Sequence, residues 1–142
     1  MEIKCKMDMK SFDKLFMTLH KVLDEAVVEG GEAMYEFARD VIMLESAEEC
    51  PRDTWTLVST GYVNRPVIRG WSYVSVELGY GGAEDKKNPK SGQMASEYAV
   101  EVHENLLYKH PVGNAKFFEN PVRRNAVGLP MHVAGRIGGK SF

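Results

Sequence analysis

Apolar and small residues recur along the first third of the chain at Phe12, Phe16, Leu19, Leu23, Ala26, Gly30, Ala33, Phe37, Val41 and Leu44. The intervals are three or four residues, so the set falls on one stripe of a long helix. Ser11 is placed to cap it, because its hydroxyl can accept from an orphan amide of the first turn. Pro51 stops it and biases Cys50 toward extended backbone. Gly30-Gly31 sits in the middle and costs about 2 kcal/mol against alanine. The pair predicts a kink, a break or a close contact with another helix.

The pattern then changes. Trp55 to Val63 and Pro66 to Tyr80 are rich in Val, Thr, Tyr and Trp, the composition of strands. Trp71, Tyr73, Ser75 and Glu77 alternate with Val74, Val76 and Leu78. Arg69-Gly70 reads as the turn between two antiparallel strands, and Pro66 marks the first as an edge or bulged strand. Residues 79–95 read as a loop, long enough to be functional or disordered. A third strand is expected from Tyr98 to Glu104. A short helix follows from Asn114 to about Val127, with Asn114 as its cap and Pro121 dividing it. The glycine-rich stretch 128–142 reads as a flexible tail.

These elements predict an α+β fold. A long N-terminal helix packs on an antiparallel sheet of about three to five strands, with a second short helix and a flexible C-terminal tail. Residues 1–127 form one domain, and 128–142 are an extension. The length of 142 residues suits a single core. The composition, 44% hydrophobic and 27% charged, is that of a globular protein. No run of about 18 apolar residues offers a membrane span, and the first residues lack an apolar secretion segment. Cys5 and Cys50 give no disulfide framework, so a reduced, cytosolic setting is expected.

Charge is uneven. Residues 1–50 carry 12 acidic and 6 basic side chains, and residues 51–142 carry 8 and 12. The net of −2 argues against a general nucleic-acid binder, which needs cations to displace counterions. The asymmetry suggests two electrically different faces. Catalytic material is sparse. His20, His103, His110 and His132 are scattered, and no nucleophile, zinc or phosphate-loop spacing is present. Glu101 and His103 would share a strand face and form the centre of a small metal-dependent enzyme, although two ligands are not a site. Cys50 beside Arg52 reads as an inert helix-end cysteine. Lys86, Lys87 and Lys90, with the aromatics Trp55, Trp71, Tyr73, Tyr80, Phe117 and Phe118, are the material of a nucleic-acid module, weighed against a solvated loop and an ordinary core.

One set of segments is more specific. Tyr98-Ala99-Val100-Glu101-Val102-His103-Glu104 is followed by His110-Pro111-Val112-Gly113-Asn114-Ala115-Lys116-Phe117-Phe118-Glu119. Upstream stands Pro51-Arg52-Asp53-Thr54-Trp55-Thr56-Leu57. In order and spacing these resemble the small tail-completion or head–tail joining proteins of long-tailed bacteriophages. The matching positions are Pro51, Asp53, Thr54, Leu57, Tyr98, Ala99, His103, Glu104, His110, Pro111, Gly113, Lys116, Phe117 and Glu119. Trp55 stands where the family pattern has glycine. The resemblance covers residues 10–127.

The resemblance implies a structural virion protein with no catalysis and no cofactor. Such a protein would form a ring, usually a hexamer, in the neck between a portal-side adaptor or connector and the tail tube or tail terminator. Double-stranded DNA would pass through the bore without sequence-specific binding. The protein would assemble in the host cytoplasm and reside at the head–tail junction of the virion, with no membrane partner. A tail terminator that caps the tube is the neighbouring reading. Length and glycine content nominate residues 81–96 and 128–142 as contact arms between subunits, with Tyr80, Lys86, Lys87, Met131 and Phe142 as contacts. An acidic bore would not grip phosphates, which nominates Glu29, Glu32 and Glu36 as its lining.

Overall fold

The computed structural model describes residues 9–70, 73–108, 110 and 112–138. Helix α1 spans Met9–Phe37. Helical backbone continues through a π-helical stretch, Ala38–Ile42, into α2, Met43–Glu49. Ser11 therefore lies inside α1 instead of capping it. The far end forms as the sequence predicts. Cys50 is extended just before Pro51. Arg52 Nη2 donates to the carbonyls of Ala47 (2.9 Å) and Glu48 (3.3 Å), which the helix end leaves unanswered.

The glycine pair does not break the helix; it admits two neighbours. A Cβ on Gly30 would stand 3.3 Å from Ile137 Cδ1, and one on Gly31 would stand 3.1 Å from Val74 Cγ1 and 3.2 Å from Pro66 Cβ. The irregularity falls further on. The Met43 N–H bonds back to Ala38 O, five residues away, which widens one turn. Ala38, Ile42, Ser46 and Cys50 consequently face inward. Leu44, expected on the buried stripe, is turned out and is 59% exposed. Leu15, Met17 and Leu19 are exposed as well, so the first turns of α1 project beyond the body.

The expected single sheet is two separate two-stranded ribbons. Strand β1 (Gly61–Val63) pairs antiparallel with β4 (Leu78–Tyr80), and β2 (Val67–Arg69) with β3 (Tyr73–Ser75). Gly70, at φ +63°, turns the second ribbon where the sequence places the turn. Trp71 and Ser72 lie outside the described residues. Trp55 to Thr60 is not extended. Hydroxyls fold it locally: Ser59 Oγ donates to Thr56 O (2.8 Å), Thr60 Oγ1 to Leu57 O (2.7 Å), and Val58–Thr60 forms a 3₁₀ turn.

The segment expected as a third strand is helix α3, Ala95–Glu104. The Glu97 carboxylate accepts the Met94 N–H (2.7 Å), and Asp85 accepts the Ser96 N–H (3.1 Å), so the first turn is capped twice. The expected helix from Asn114 is a series of turns, and α4 runs only over Glu119–Arg124. Pro121 is tolerated because it lies in the first turn, where its missing N–H has no partner to lose. The tail expected to be flexible is helix α5, Gly128–Gly138, which lies along α1. Val133 and Ile137 meet Gly30, and His132 lies against Phe37 with ring centroids 5.5 Å apart. Residues 139–142 lie outside the described residues.

The main core gathers Cys50, Leu57, Ala95 and Phe117, with Val58, Tyr80, Tyr98, Ala99, Val102 and Phe118 around them. The α+β class expected from the sequence is the class observed. Among the described residues, no helix is long and apolar enough to cross a membrane.

Gly31→Leu should lower stability by about 1–3 kcal/mol by overpacking the contact with Val74 and Pro66. Gly135, with open space around it in α5, should gain up to about 1 kcal/mol as Gly135→Ala. Urea unfolding of the two variants checks both signs.

Candidate functional site

The segments that carry the resemblance converge at one junction. Gly113, at φ +95°, lies so close to the end of α2 that a Cβ there would stand 2.6 Å from Pro51 N and 2.7 Å from Cys50 C. Only glycine fits such an approach. The next residue seals it, the Asn114 N–H bonding to Glu49 O at 2.8 Å. Asn114 thus ties to α2 and does not cap a helix. Lys116 takes a left-handed backbone, φ +59°, and its N–H bonds to His103 O at 2.8 Å. Phe117 then drops into the core, 1% exposed, edge-on to both Tyr80 (5.3 Å) and His103 (5.1 Å).

Above Phe117 lies a closed polar network. The Glu119 N–H donates to His103 Nε2 (3.2 Å), which assigns the ring proton to Nδ1, and Nδ1 donates to Glu104 Oε1 (2.7 Å). Lys116 Nζ bonds to Glu104, and also reaches Glu119 Oε2 at 3.0 Å. The Lys116 ammonium holds both carboxyls below their ordinary range, and the Glu104 carboxylate, first among its partners, raises Lys116. His103, Glu104, Lys116 and Glu119 therefore answer one another, and the network braces α3 against the turns before α4.

Two clefts flank α3. One is apolar, about 240 Å³, formed by Tyr80, Ala99, Val100, Phe117 and Phe118 with His103 and Glu104 at its edge. The other is polar, about 310 Å³, and lies between the Pro51–Leu57 turn, the loop at 88–93, α3 and residues 108 and 110. Asp53, Thr54, Trp55, Tyr98, Glu101, Tyr108 and His110 line it. Glu101 and His103, expected to share a strand face, point into different clefts because α3 is a helix. Among the described residues no three potential metal ligands come together.

Trp55 takes φ +63°, the left-handed backbone that a glycine would enter without strain. Its indole carries the Arg52 guanidinium at 5.2 Å. Asp53 meets Lys90 Nζ at 2.8 Å, and Lys86 Nζ meets Ser59 Oγ at 3.4 Å. The loop at 81–94 is folded on itself. Lys87 bridges to Met94, and Asn88 Oδ1 accepts the Lys90 N–H at 2.8 Å. Lys86 and Lys87 stay exposed, but Tyr80 is part of the core, its hydroxyl paired with Ser46 Oγ at 2.8 Å. Met131 is exposed on α5. Pro111 and Phe142 lie outside the described residues.

The three acids nominated for a channel each face an arginine. Arg136 reaches Glu29 (3.3 Å) and Glu36 (2.8 Å), and Arg65 reaches Glu32 (3.4 Å). They fasten α5 and the β2–β3 ribbon to α1. Cys50 is fully buried, and that burial outweighs Arg52 and pushes its thiol up to about 12. The inert reading from the sequence is what the site presents.

Gly113→Ala should cost about 2–4 kcal/mol, combining strained backbone with overpacking; urea unfolding measures it. The depressed Glu104 and Glu119 stabilise the fold above the ordinary carboxylate range, and that stabilisation is lost as pH falls through their lowered values. Lys116→Met should therefore flatten the drop in melting temperature between about pH 6 and about pH 3. In a Cys5→Ser background, Cys50 should resist thiol reagents at about pH 8 until denaturant is added; rapid labelling of the native chain would contradict its burial.

No protein-family model, curated protein or solved structure matches this chain.

Proposed function

We propose that this chain is a structural subunit of a bacteriophage neck, forming a hexameric ring between the portal-side adaptor and the tail, through which DNA passes. The observation that supports it most is how little of its apolar surface the chain covers by itself. Among the described residues, eighteen large hydrophobic side chains are exposed and seven hydrophobic residues are buried.

The exposed apolar residues are grouped. Val100 (70%) stands on α3 at the apolar cleft, and Leu106 (73%) and Leu107 (90%) follow just beyond the end of α3. Leu15 and Leu19 share one face at the projecting start of α1. Clusters of this kind mark contacts with other chains. The convergence of Pro51 with Gly113, and of His103 and Glu104 with Lys116 and Glu119, also supports the resemblance. These matched positions act on one another in space. The pairing of Glu29, Glu32 and Glu36 with arginines leaves no reason to assign a bore lining to them. The reading requires no reaction and no cofactor.

Light scattering and electron microscopy of the purified chain, with immunogold labelling of phage particles that carry it, test the proposal. Rings that Leu107→Glu dissociates, and label at the head–tail junction, are expected. A chain that stays monomeric at about 100 μM, well above the micromolar constants of weak assemblies, and is absent from particles would overturn it.

A further inference from the structure

The polar cleft beside α3 has a chemistry that a ring contact does not need. Among the described residues, its lining contains two carboxylates, Asp53 and Glu101, and neither lysine nor arginine. Asp53 is answered from outside the lining by Lys90 Nζ at 2.8 Å. Glu101 meets no cation among the described residues; it accepts only the Tyr108 hydroxyl, at 2.5 Å. Tyr98 and Tyr108 add aromatic rings to the same walls, with the Tyr108 ring edge-on to His110 at 6.3 Å. His110 Nε2 is buried and has no hydrogen-bond partner among the described residues.

We propose that this cleft receives the basic side chain of a protein partner, an arginine guanidinium or a lysine ammonium. Each feature of the cleft fits that group and disfavours others. The unanswered carboxylate at Glu101 attracts a cation and repels an anion. The tyrosine rings in the lining carry negative π-faces, which attract a guanidinium or ammonium. A basic side chain carries several N–H donors, so one can reach Glu101 while another reaches His110 Nε2. A neutral apolar group would leave both without a partner. Asp53, Glu101 and His110 all line the cleft, but among the described residues no three potential ligands come close enough together to hold a metal ion. The volume, about 310 Å³, is at the small end for ligand sites and suits one side chain better than a cofactor. The chain itself uses the same chemistry nearby, where Arg52 lies over the Trp55 ring at 5.2 Å.

The test titrates the full-length chain with three blocked tripeptides, Ala-Arg-Ala, Ala-Lys-Ala and Ala-norleucine-Ala, and follows the ring signals of Tyr108 and His110 by NMR. Saturable shifts with the arginine or lysine peptide, at millimolar affinity, and none with norleucine are expected. Glu101→Gln, which keeps the size of the side chain, should weaken binding at least about 5-fold. His110→Phe, which keeps a ring and removes the acceptor, should weaken it too. Glu84→Gln, at an exposed loop position, should leave it unchanged. Added salt should weaken it. Equal shifts with the norleucine peptide, no saturable shift with any peptide, or binding indifferent to Glu101→Gln would each overturn the assignment. Binding is read on the single chain, so failure of the ring proposal leaves this result standing, and the reverse.

Discussion

The close approach of Gly113 to the Cys50-Pro51 backbone sets the geometry of the rest of the main core. Without a Cβ at 113, the chain passes flat against the end of α2 and delivers Phe117 to the centre. Phe117 then becomes the surface on which Tyr80 and His103 meet. The polar network of His103, Glu104, Lys116 and Glu119 is secondary to that seating. Its side chains are partly exposed, and exposed ion pairs contribute little by themselves. What they add is direction. The His103 ring has one hydrogen-bonded arrangement, which fixes how α3 lies against the turns before α4. Lys116 holds a left-handed backbone there because its N–H and its ammonium are both engaged.

The long helix works differently along its length. At Gly30 and Gly31 it is a platform, approached by α5 on one side and by the β2–β3 ribbon on the other. Past Phe37 it is a wall of the main core, and the π-helical turn brings Ile42, Ser46 and Cys50 round to face inward. At its start, the exposed Leu15, Met17 and Leu19 take no part in either packing. One helix thus joins two small packed regions, each with few buried residues. That division explains how a chain with ordinary composition leaves so many large apolar side chains of the described residues exposed.

The elements that the sequence revealed are those whose signal is long or chemically unambiguous. The helix up to Pro51 carries a stripe over many turns, and Gly70 sits between two β-rich runs. In the segment expected as a strand, Tyr98, Val100 and Val102 alternate and favour sheets. The helical signal was present but began earlier. Ala95, Tyr98, Ala99 and Val102 fall at i, i+3, i+4 and i+7, and these are the buried or half-buried positions of α3. In α5 the glycines masked Leu129, Val133 and Ile137, spaced by four. The Pro51 and Gly113 contact was legible only as two motif positions, and the polar cleft not at all. Its walls come from residues 53, 88, 91, 93, 101, 108 and 110, among others, which no local pattern connects.

The charge asymmetry, read from the sequence as two faces, is largely resolved within the chain. Arg124 reaches Glu45 and Glu49, Arg136 reaches Glu29 and Glu36, and Arg65 reaches Glu32. Every one of these pairs joins the acidic first 50 residues to the basic remainder. They set which surface of α1 each later element covers, and the net charge left over is only −2. A molecule whose charges are answered internally projects little long-range field. In the proposed ring, cohesion between subunits would then come chiefly from apolar surface, which salt does not screen and which excluded salts such as sulfate strengthen. The Glu101 cleft is the local exception, a carboxylate beside aromatic rings that no cation among the described residues meets.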